Sequence, residues 1–63
     1  MKAGEKLRQL RGEKTQEEIA RALGITKSSY AMYERGERVP RDEVKSRIAA
    51  FFGVSVQDLF FSL

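Results

Sequence analysis

The 63-residue sequence contains no cysteine, no histidine and no tryptophan, and it has a single proline. Without cysteine the chain forms neither a disulfide nor a thiolate metal site, and this composition is compatible with a reducing cytoplasm. The absence of histidine removes the commonest metal ligand and general base, so that only carboxylates remain for such chemistry. We therefore expect no metal, no cofactor and no catalytic residues, and the sequence does not favour an enzyme.

Long apolar stretches are also missing from the sequence. No run approaches the roughly 20 residues that a membrane-spanning helix needs. The N-terminal stretch MKAGEKLRQLRG is charged throughout and lacks the apolar segment of a signal peptide. The sequence therefore predicts one cytoplasmic domain over residues 1–63, with no membrane association and no small-molecule ligand.

The charges of the chain, which sum to +3, are unevenly placed. All twelve lysines and arginines lie in residues 1–47, whereas residues 48–63 carry a single charged side chain, that of Asp58. A basic body with a nearly uncharged apolar end is typical of a protein that faces a polyanion on one side and packs at the other. Charge alone leaves nucleic-acid binding and an ordinary basic surface equally open.

Helix signals are clearest in the stretch Thr15–Gly36. Thr15 and Glu18 have the spacing of a capping box, in which two otherwise unpaired backbone N–H groups are satisfied reciprocally. Gly24 ends the helix that follows, because glycine adopts the left-handed conformation without a Cβ penalty. Thr26 is placed to cap a second helix. Two helices joined by such a short glycine-containing turn predict a helix-turn-helix unit over about residues 15–36.

Helical patterns also flank this unit. Residues 3–11 and 42–52 carry apolar residues at intervals of three or four, which predicts one buried face on each helix. Leu10 is expected on the buried face of the first of them. Ser55 is placed to cap a last short helix over about residues 55–62. The chain therefore reads as all-α, with five helices.

The sequence TQEEIARALGITKSSYAMYERGERVP resembles the DNA-binding motif of the Cro/cI-type (XRE) helix-turn-helix regulators, the family of lambdoid phage repressors. The likeness lies in Gln16 at the start of the first motif helix, in the spacing of Ala20 and Gly24, and in the YERG ending of the second. It extends to about residue 60. The resemblance implies a compact five-helix bundle of the lambda-repressor-like type. It also implies a regulator, most often a repressor, that binds double-stranded DNA as a homodimer on a near-palindromic operator.

The second motif helix is predicted over about Lys27–Arg35 and has two unlike faces. At 100° per residue, Tyr30 and Tyr33 fall on the side of the core, and the opposite arc carries small or flexible side chains. In the family, the first, second and sixth positions of this helix read bases. The resemblance thus assigns base contacts to a set whose members share that outer arc: Lys27, Ser28 and Met32, with Ala31 close by. A plain exposed methionine is the alternative for Met32.

A second set of predicted contacts would fix the register on the DNA backbone without reading sequence. Its members lie at the start of the first motif helix or around the following loop, and they are Thr15, Gln16, Arg35, Arg38 and Arg41. A solvated basic loop is the alternative for the last two arginines. The resemblance further implies an ion pair between Arg11 of the first helix and Glu34 of the second motif helix.

Three apolar residues near the C-terminal end are left over once such a bundle is filled: Phe51, Phe61 and Leu63. So small a domain cannot readily bury every aromatic side chain, and an uncharged apolar end suggests contact with another chain. In the family the terminal helix commonly supports a two-fold dimer, whereas folding back onto the first helix would complete a monomeric core. A function of another class also fits these residues, an antitoxin-like module that masks a partner protein and regulates its own operon.

Overall fold

The computed structural model describes residues 2–61, and this part of the chain forms five helices and no strand. The helices are α1 (Ala3–Arg11), α2 (Gln16–Leu23), α3 (Lys27–Arg35), α4 (Asp42–Phe52) and α5 (Gln57–Phe61). The predicted all-α, five-helix architecture is therefore confirmed. Within residues 2–61 no helix is long and apolar enough to cross a membrane.

The sequence signals that bound α2 and α3 are realised in the structure. Thr15 Oγ1 accepts the Glu18 N–H at 3.0 Å, and the Thr15 N–H donates to Glu18 Oε1 at 3.1 Å, which closes the predicted capping box. Gly24 and Gly36 end α2 and α3 with φ values of 72° and 75°. A Cβ atom disfavours this left-handed backbone conformation, so glycine is the natural residue at both helix ends. The turn Gly24–Thr26 therefore joins the two helices as predicted.

The hydrophobic core lies between all five helices. α3 packs against both α1 and α2, while α5 packs on α1 and α4 packs on α2. The main core cluster takes at least one side chain from every helix, and its members are Leu7, Ile19, Ala20, Leu23, Tyr30, Tyr33, Val44, Ile48 and Leu59. Because two helices hold α3, one side of it is fixed to the core while the rest faces outward.

α1 and α3 approach each other so closely at Gly4 that no side chain fits between them. A Cβ atom built on Gly4 would lie 2.2 Å from the carbonyl oxygen of Glu34 and 3.1 Å from that of Tyr33. Glycine inside a helix costs about 1 kcal/mol relative to alanine. The close approach explains why the sequence accepts that cost, and it sets the distance between α1 and the second half of α3.

The prediction that Leu10 is buried is wrong. Leu10 lies in the last turn of α1 and is exposed. It lines an open groove of about 320 Å³ together with Val54 and Leu59. The groove lies where α5 and the residues before it meet α1, and Leu10 remains accessible in it.

The last helix differs from its prediction in length and type. It was expected over about residues 55–62, and among the described residues it is a π-helical turn over Gln57–Phe61. Ser55 caps it as expected, since its Oγ accepts the Asp58 N–H at 3.0 Å. The predicted dimer contact Leu63 lies outside the described residues.

Candidate nucleic-acid interface

Three of the four predicted base-contact residues lie on the accessible side of α3. Lys27 and Ser28 are exposed and Met32 is partly exposed. Tyr30 and Tyr33 are buried on the other side, where they anchor the helix to the core. The opposite placement of the tyrosines and the short polar residues agrees with the helical angles. The first turn of α3 therefore presents the cation of Lys27 and the hydroxyl group of Ser28 to the solvent.

The prediction that Ala31 points outward is wrong. Only 8% of its surface is accessible. The angular calculation places it beside Lys27 and Arg35, but it treats α3 as covered on one side only. Because α1 and α2 both pack on α3, the buried arc of α3 is wider than packing against one helix would make it. A methyl group at the border of that arc is too short to emerge, so Ala31 drops out of the set of base-contact candidates.

The start of α2 and the start of α3 share one depression on the surface. The depression has a volume of about 520 Å³, and its lining includes Thr15, Gln16 and Lys27. Two predicted phosphate-contact residues therefore lie next to a predicted base-contact residue. Helix N-termini favour anions through their unpaired N–H groups and their dipoles. The lining also includes Arg11 and Lys14 as cations and Glu13 and Glu17 as carboxylates, so the depression brings two helix N-termini together in a surface of mixed charge.

The side chain of Gln16 has a partner within the protein that the sequence did not indicate. Its Nε2 donates a hydrogen bond to Glu34 Oε1 at 3.0 Å. An amide group carries two N–H donors and a carbonyl acceptor. One bond to Glu34 therefore leaves polar capacity for a phosphate, and it connects the start of α2 directly to α3.

The three predicted phosphate-contact arginines are all exposed. Arg35 is the last residue of α3, whereas Arg38 and Arg41 lie in the loop that leads to α4. Arg35 is not free, because its guanidinium donates to both carboxylate oxygens of Glu37, with Nε–Oε2 at 2.9 Å and Nη2–Oε1 at 3.1 Å. The loop is anchored by Pro40, which is buried.

Glu34 is the centre of a buried polar network that joins α1, α2 and α3. Arg11 donates to it twice, with Nε–Oε2 at 2.7 Å and Nη2–Oε1 at 3.1 Å. The predicted ion pair between α1 and α3 is therefore confirmed, and its two-bond geometry is the strong form of an arginine–carboxylate contact. The amide of Gln16 supplies a third bond, so one carboxylate ties together both motif helices and the helix before them.

The electrostatics of this network keep Glu34 ionised. Burial raises the pKa of Glu34, but the hydrogen bonds from Arg11 and Gln16 outweigh it and hold the pKa below the ordinary carboxyl value. Burial raises the pKa of the neighbouring Tyr30 hydroxyl, and the Glu34 carboxylate raises it further. At neutral pH the network thus contains a charged carboxylate, a charged guanidinium and a neutral phenol.

α4 is tied to the motif by Arg47, a residue that sequence reasoning missed. Its Nη1 donates to the backbone carbonyl of Leu23, the last residue of α2, at 2.8 Å. Its Nη2 pairs with Glu43 one turn earlier on α4 at 3.1 Å. A cation at the C-terminal end of a helix is favoured by the helix dipole. The spacing of Glu43 and Arg47 indicated only the local pair, so the link to α2 had no signal in the sequence.

A sequence profile of the helix-turn-helix family matches residues 5–59. This range contains most of α1, all of α2 to α4, the Glu34 network and most of α5. The chain belongs to the helix-turn-helix family. The predicted family membership is thereby confirmed, and the family is one of DNA-binding regulators rather than of enzymes.

Two relatives extend this assignment of the helix-turn-helix chain. It is similar to the cryptic phage CTXphi transcriptional repressor RstR of Vibrio cholerae, with 39% identity over 56 residues that make up 86% of this chain and 50% of the repressor. It is also similar to an uncharacterized HTH-type transcriptional regulator of Methanocaldococcus jannaschii, with 37% identity over 46 residues, which are 73% of this chain and 70% of that protein. The chain thus spans half the length of the Vibrio repressor. No solved structure gives a significant match.

Proposed function

We propose that this protein is a sequence-specific transcriptional regulator, acting as a repressor, that places α3 in the major groove of double-stranded DNA. The observation that carries the proposal is the shared depression in which Lys27 of α3 lies beside the capped start of α2. Such a surface would bring a group suited to reading a base next to groups suited to binding a phosphate, which supports the proposal. Both relatives are named transcriptional regulators, and one is named a repressor. A DNA-bound regulator would act in the cytoplasm.

The dimensions and chemistry of α3 suit a major groove. An α-helix with its side chains is about 10–12 Å in diameter, and the groove is about 12 Å wide and admits one helix. Lys27 is able to donate to guanine N7 or O6, Ser28 to donate or accept, and Met32 to contact a thymine methyl group. A lysine in the first turn opposes the helix dipole, so a nearby phosphate would relieve an unfavourable interaction of the free protein.

The phosphate contacts would surround this helix. Thr15 and Gln16 present the N-terminal end of α2 to a phosphate oxygen, the arrangement by which helix starts bind anions. Arg35, Arg38 and Arg41 extend the basic surface from the end of α3 into the following loop. Contacts of this kind fix the orientation of the protein on the duplex, while α3 supplies the sequence preference.

A homodimer is the second part of the proposal. Phe51 and Phe61 are exposed over 44% and 52% of their surfaces. Exposed aromatic side chains at one end of the domain support the predicted role of these residues in a dimer. Two copies related by a two-fold axis would place their α3 helices in successive major grooves about 34 Å apart and would read a near-palindrome.

Selection of bound sites from a pool of random duplexes tests both parts. We expect an enriched sequence with two related half-sites whose centres lie about one helical turn apart. Sedimentation of the complex should give two chains per site. A gel shift at low ionic strength in which no duplex of any sequence is retarded would overturn the proposal.

Arg38→Ala should weaken binding to every duplex by a similar factor, because a phosphate contact carries no sequence information. Its loss should reduce the slope of log K against log salt by about one unit. Fluorescence anisotropy titrations at several salt concentrations measure both quantities. An unchanged salt slope would remove Arg38 from the set of phosphate contacts.

Lys27→Ala should instead change the preference at one base position of the site. A good side chain–base pair contributes about 1–3 kcal/mol of discrimination. The variant should therefore lose much less affinity than the unmodified protein when the base at that position is changed. Repeating the site selection with the variant measures this change. Equal loss of preference at all positions would show that Lys27 does not read a base.

A further inference from the structure

The segment that ends α3 and leads to α4 has one charge that opposes its basic character. Its sequence, RGERVPR, covers residues 35–41 and contains all three proposed phosphate-contact arginines. Glu37 is the single acidic residue among them. A carboxylate in such a segment is repelled by the phosphates that the arginines would bind, so its presence requires an explanation within the proposed function.

The backbone at the end of α3 fixes the position of Glu37. Residues two apart on a continuous helix do not face each other, but Gly36 reverses the chain with φ 75°. The Glu37 N–H then donates to the Met32 carbonyl at 3.0 Å, which pins the residue after the glycine to the helix. This turn directs the Glu37 carboxylate back to Arg35, where two hydrogen bonds of 2.9 Å and 3.1 Å join the side chains.

The pair neutralises Arg35 without burying it. The side chains of Arg35 and Glu37 are 51% and 56% exposed, so both are accessible at the end of α3, where the proposed phosphate contacts lie. An exposed pair of this kind contributes little to stability and opens easily. Arg35 is therefore occupied in the free protein, but a well-placed phosphate would be able to take it from Glu37.

We propose that Glu37 limits the affinity of the protein for DNA by holding Arg35 away from phosphates until α3 is seated in its cognate groove. In a loose complex with unrelated DNA, the pair persists and Arg35 adds no attraction. In the complex with the operator, the closer approach of α3 brings a phosphate within reach of Arg35 and the pair opens. Glu37 thus lowers affinity for both kinds of duplex, because bulk DNA forgoes the contact with Arg35 and the operator complex must open the pair. This inference rests on the proposed function.

Glu37→Gln in the full chain provides the first test. We expect binding to a duplex that lacks the selected site to become about three- to fivefold tighter, which is the range that an exposed pair of up to 1 kcal/mol permits. The salt slope on this duplex should steepen by about one unit because Arg35 becomes available for a phosphate. Affinity for the selected operator should rise at least as much, because the cost of opening the pair is removed, whereas the salt slope on the operator should stay unchanged because Arg35 already contacts a phosphate there.

A double-mutant cycle separates this mechanism from a general effect of charge. Arg35→Gln should weaken non-specific binding at least threefold more in the Glu37→Gln protein than in the unmodified protein. Asp58→Asn makes the same charge change on α5 and should leave both affinities unchanged. An additive cycle, or equal tightening by Asp58→Asn, overturns the role of Glu37 while leaving DNA binding intact. Failure of the unmodified protein to bind any duplex at low salt overturns the proposed function itself.

Discussion

Glu34→Ala is expected to lower the free energy of unfolding by about 3 kcal/mol, which is the lower end of the range for breaking a buried ion pair. The substitution leaves Arg11 without its carboxylate and removes the acceptor of the Gln16 amide. The lower end applies because the Arg11 side chain keeps 19% of its exposure and is partly hydrated when its partner is lost. Urea denaturation followed by circular dichroism measures the change.

Two matched variants show whether burial is the cause. Glu34→Gln keeps the shape of the side chain and one acceptor oxygen, although it loses the charge and replaces the other oxygen with an NH2 donor, so it should cost less than Glu34→Ala. Glu43→Ala breaks an exposed pair with Arg47 on α4, and an exposed pair contributes at most about 1 kcal/mol. A loss for Glu34→Ala no greater than the loss for Glu43→Ala would contradict the central role of the network.

Acid provides a second measurement of the same contact. The folded protein holds the pKa of Glu34 below its ordinary value of 4.5. The contribution of this group is therefore complete above that ordinary value and is lost as the pH falls through the lowered folded pKa. Glu34→Gln has no such contribution, so its deficit in stability relative to the unmodified protein should shrink between pH 7 and strongly acidic pH. A deficit that stays constant would show that the charge of Glu34 does not stabilise the fold.

Gly4→Ala is expected to lower the free energy of unfolding by about 2 kcal/mol, although alanine is the better helix former. The added Cβ would meet the Glu34 carbonyl oxygen at 2.2 Å, and a backbone atom cannot move aside as a flexible side chain does. Overpacking of this kind costs about 1–3 kcal/mol, and the gain of about 1 kcal/mol in helix propensity only partly offsets a clash so close. Thermal denaturation of the two proteins measures the net effect.

The control for Gly4→Ala is Gln9→Ala on the exposed side of the same helix. It improves helix propensity slightly and adds no contact, so it should be neutral or weakly stabilising. If Gly4→Ala pushes α1 away from α3, the Arg11–Glu34 pair should also weaken. Combining Gly4→Ala with Glu34→Ala should then cost less than the sum of the two single losses. Gly4→Ala with unchanged stability would show that the helices separate without cost.

The helix boundaries were predictable because local chemistry sets them. The capping box at Thr15 and the glycines at the ends of α2 and α3 each satisfy backbone groups of their own helix, and no distant contact is needed to recognise them. The Arg11–Glu34 pair was predictable only from the resemblance to a family, since residues so far apart in sequence show no local pattern. The boundaries of α1 to α4 agree with the sequence for this reason.

The features that the sequence did not reveal depend on how the helices pack. The burial of Ala31 follows from the contact of α3 with two helices, which an angular calculation on one helix does not contain. The bond from Gln16 to Glu34 needs the crossing of α2 and α3. Gly4 left a trace, since a glycine in an otherwise helical stretch suggests a close approach. The approaching atom, a carbonyl oxygen of α3, could not be named without the fold.

The shortness of the helices has a consequence for how the molecule would behave as a regulator. The longest, α4, has 11 residues, and isolated helices shorter than about 12–15 residues are marginal in water. None of the helices in residues 2–61 is long enough to persist alone, so folding and loss of structure involve all of this part of the chain at once. A substitution deep in the interior would then reduce gene control by shrinking the pool of competent molecules, even where every group that touches the duplex is left intact.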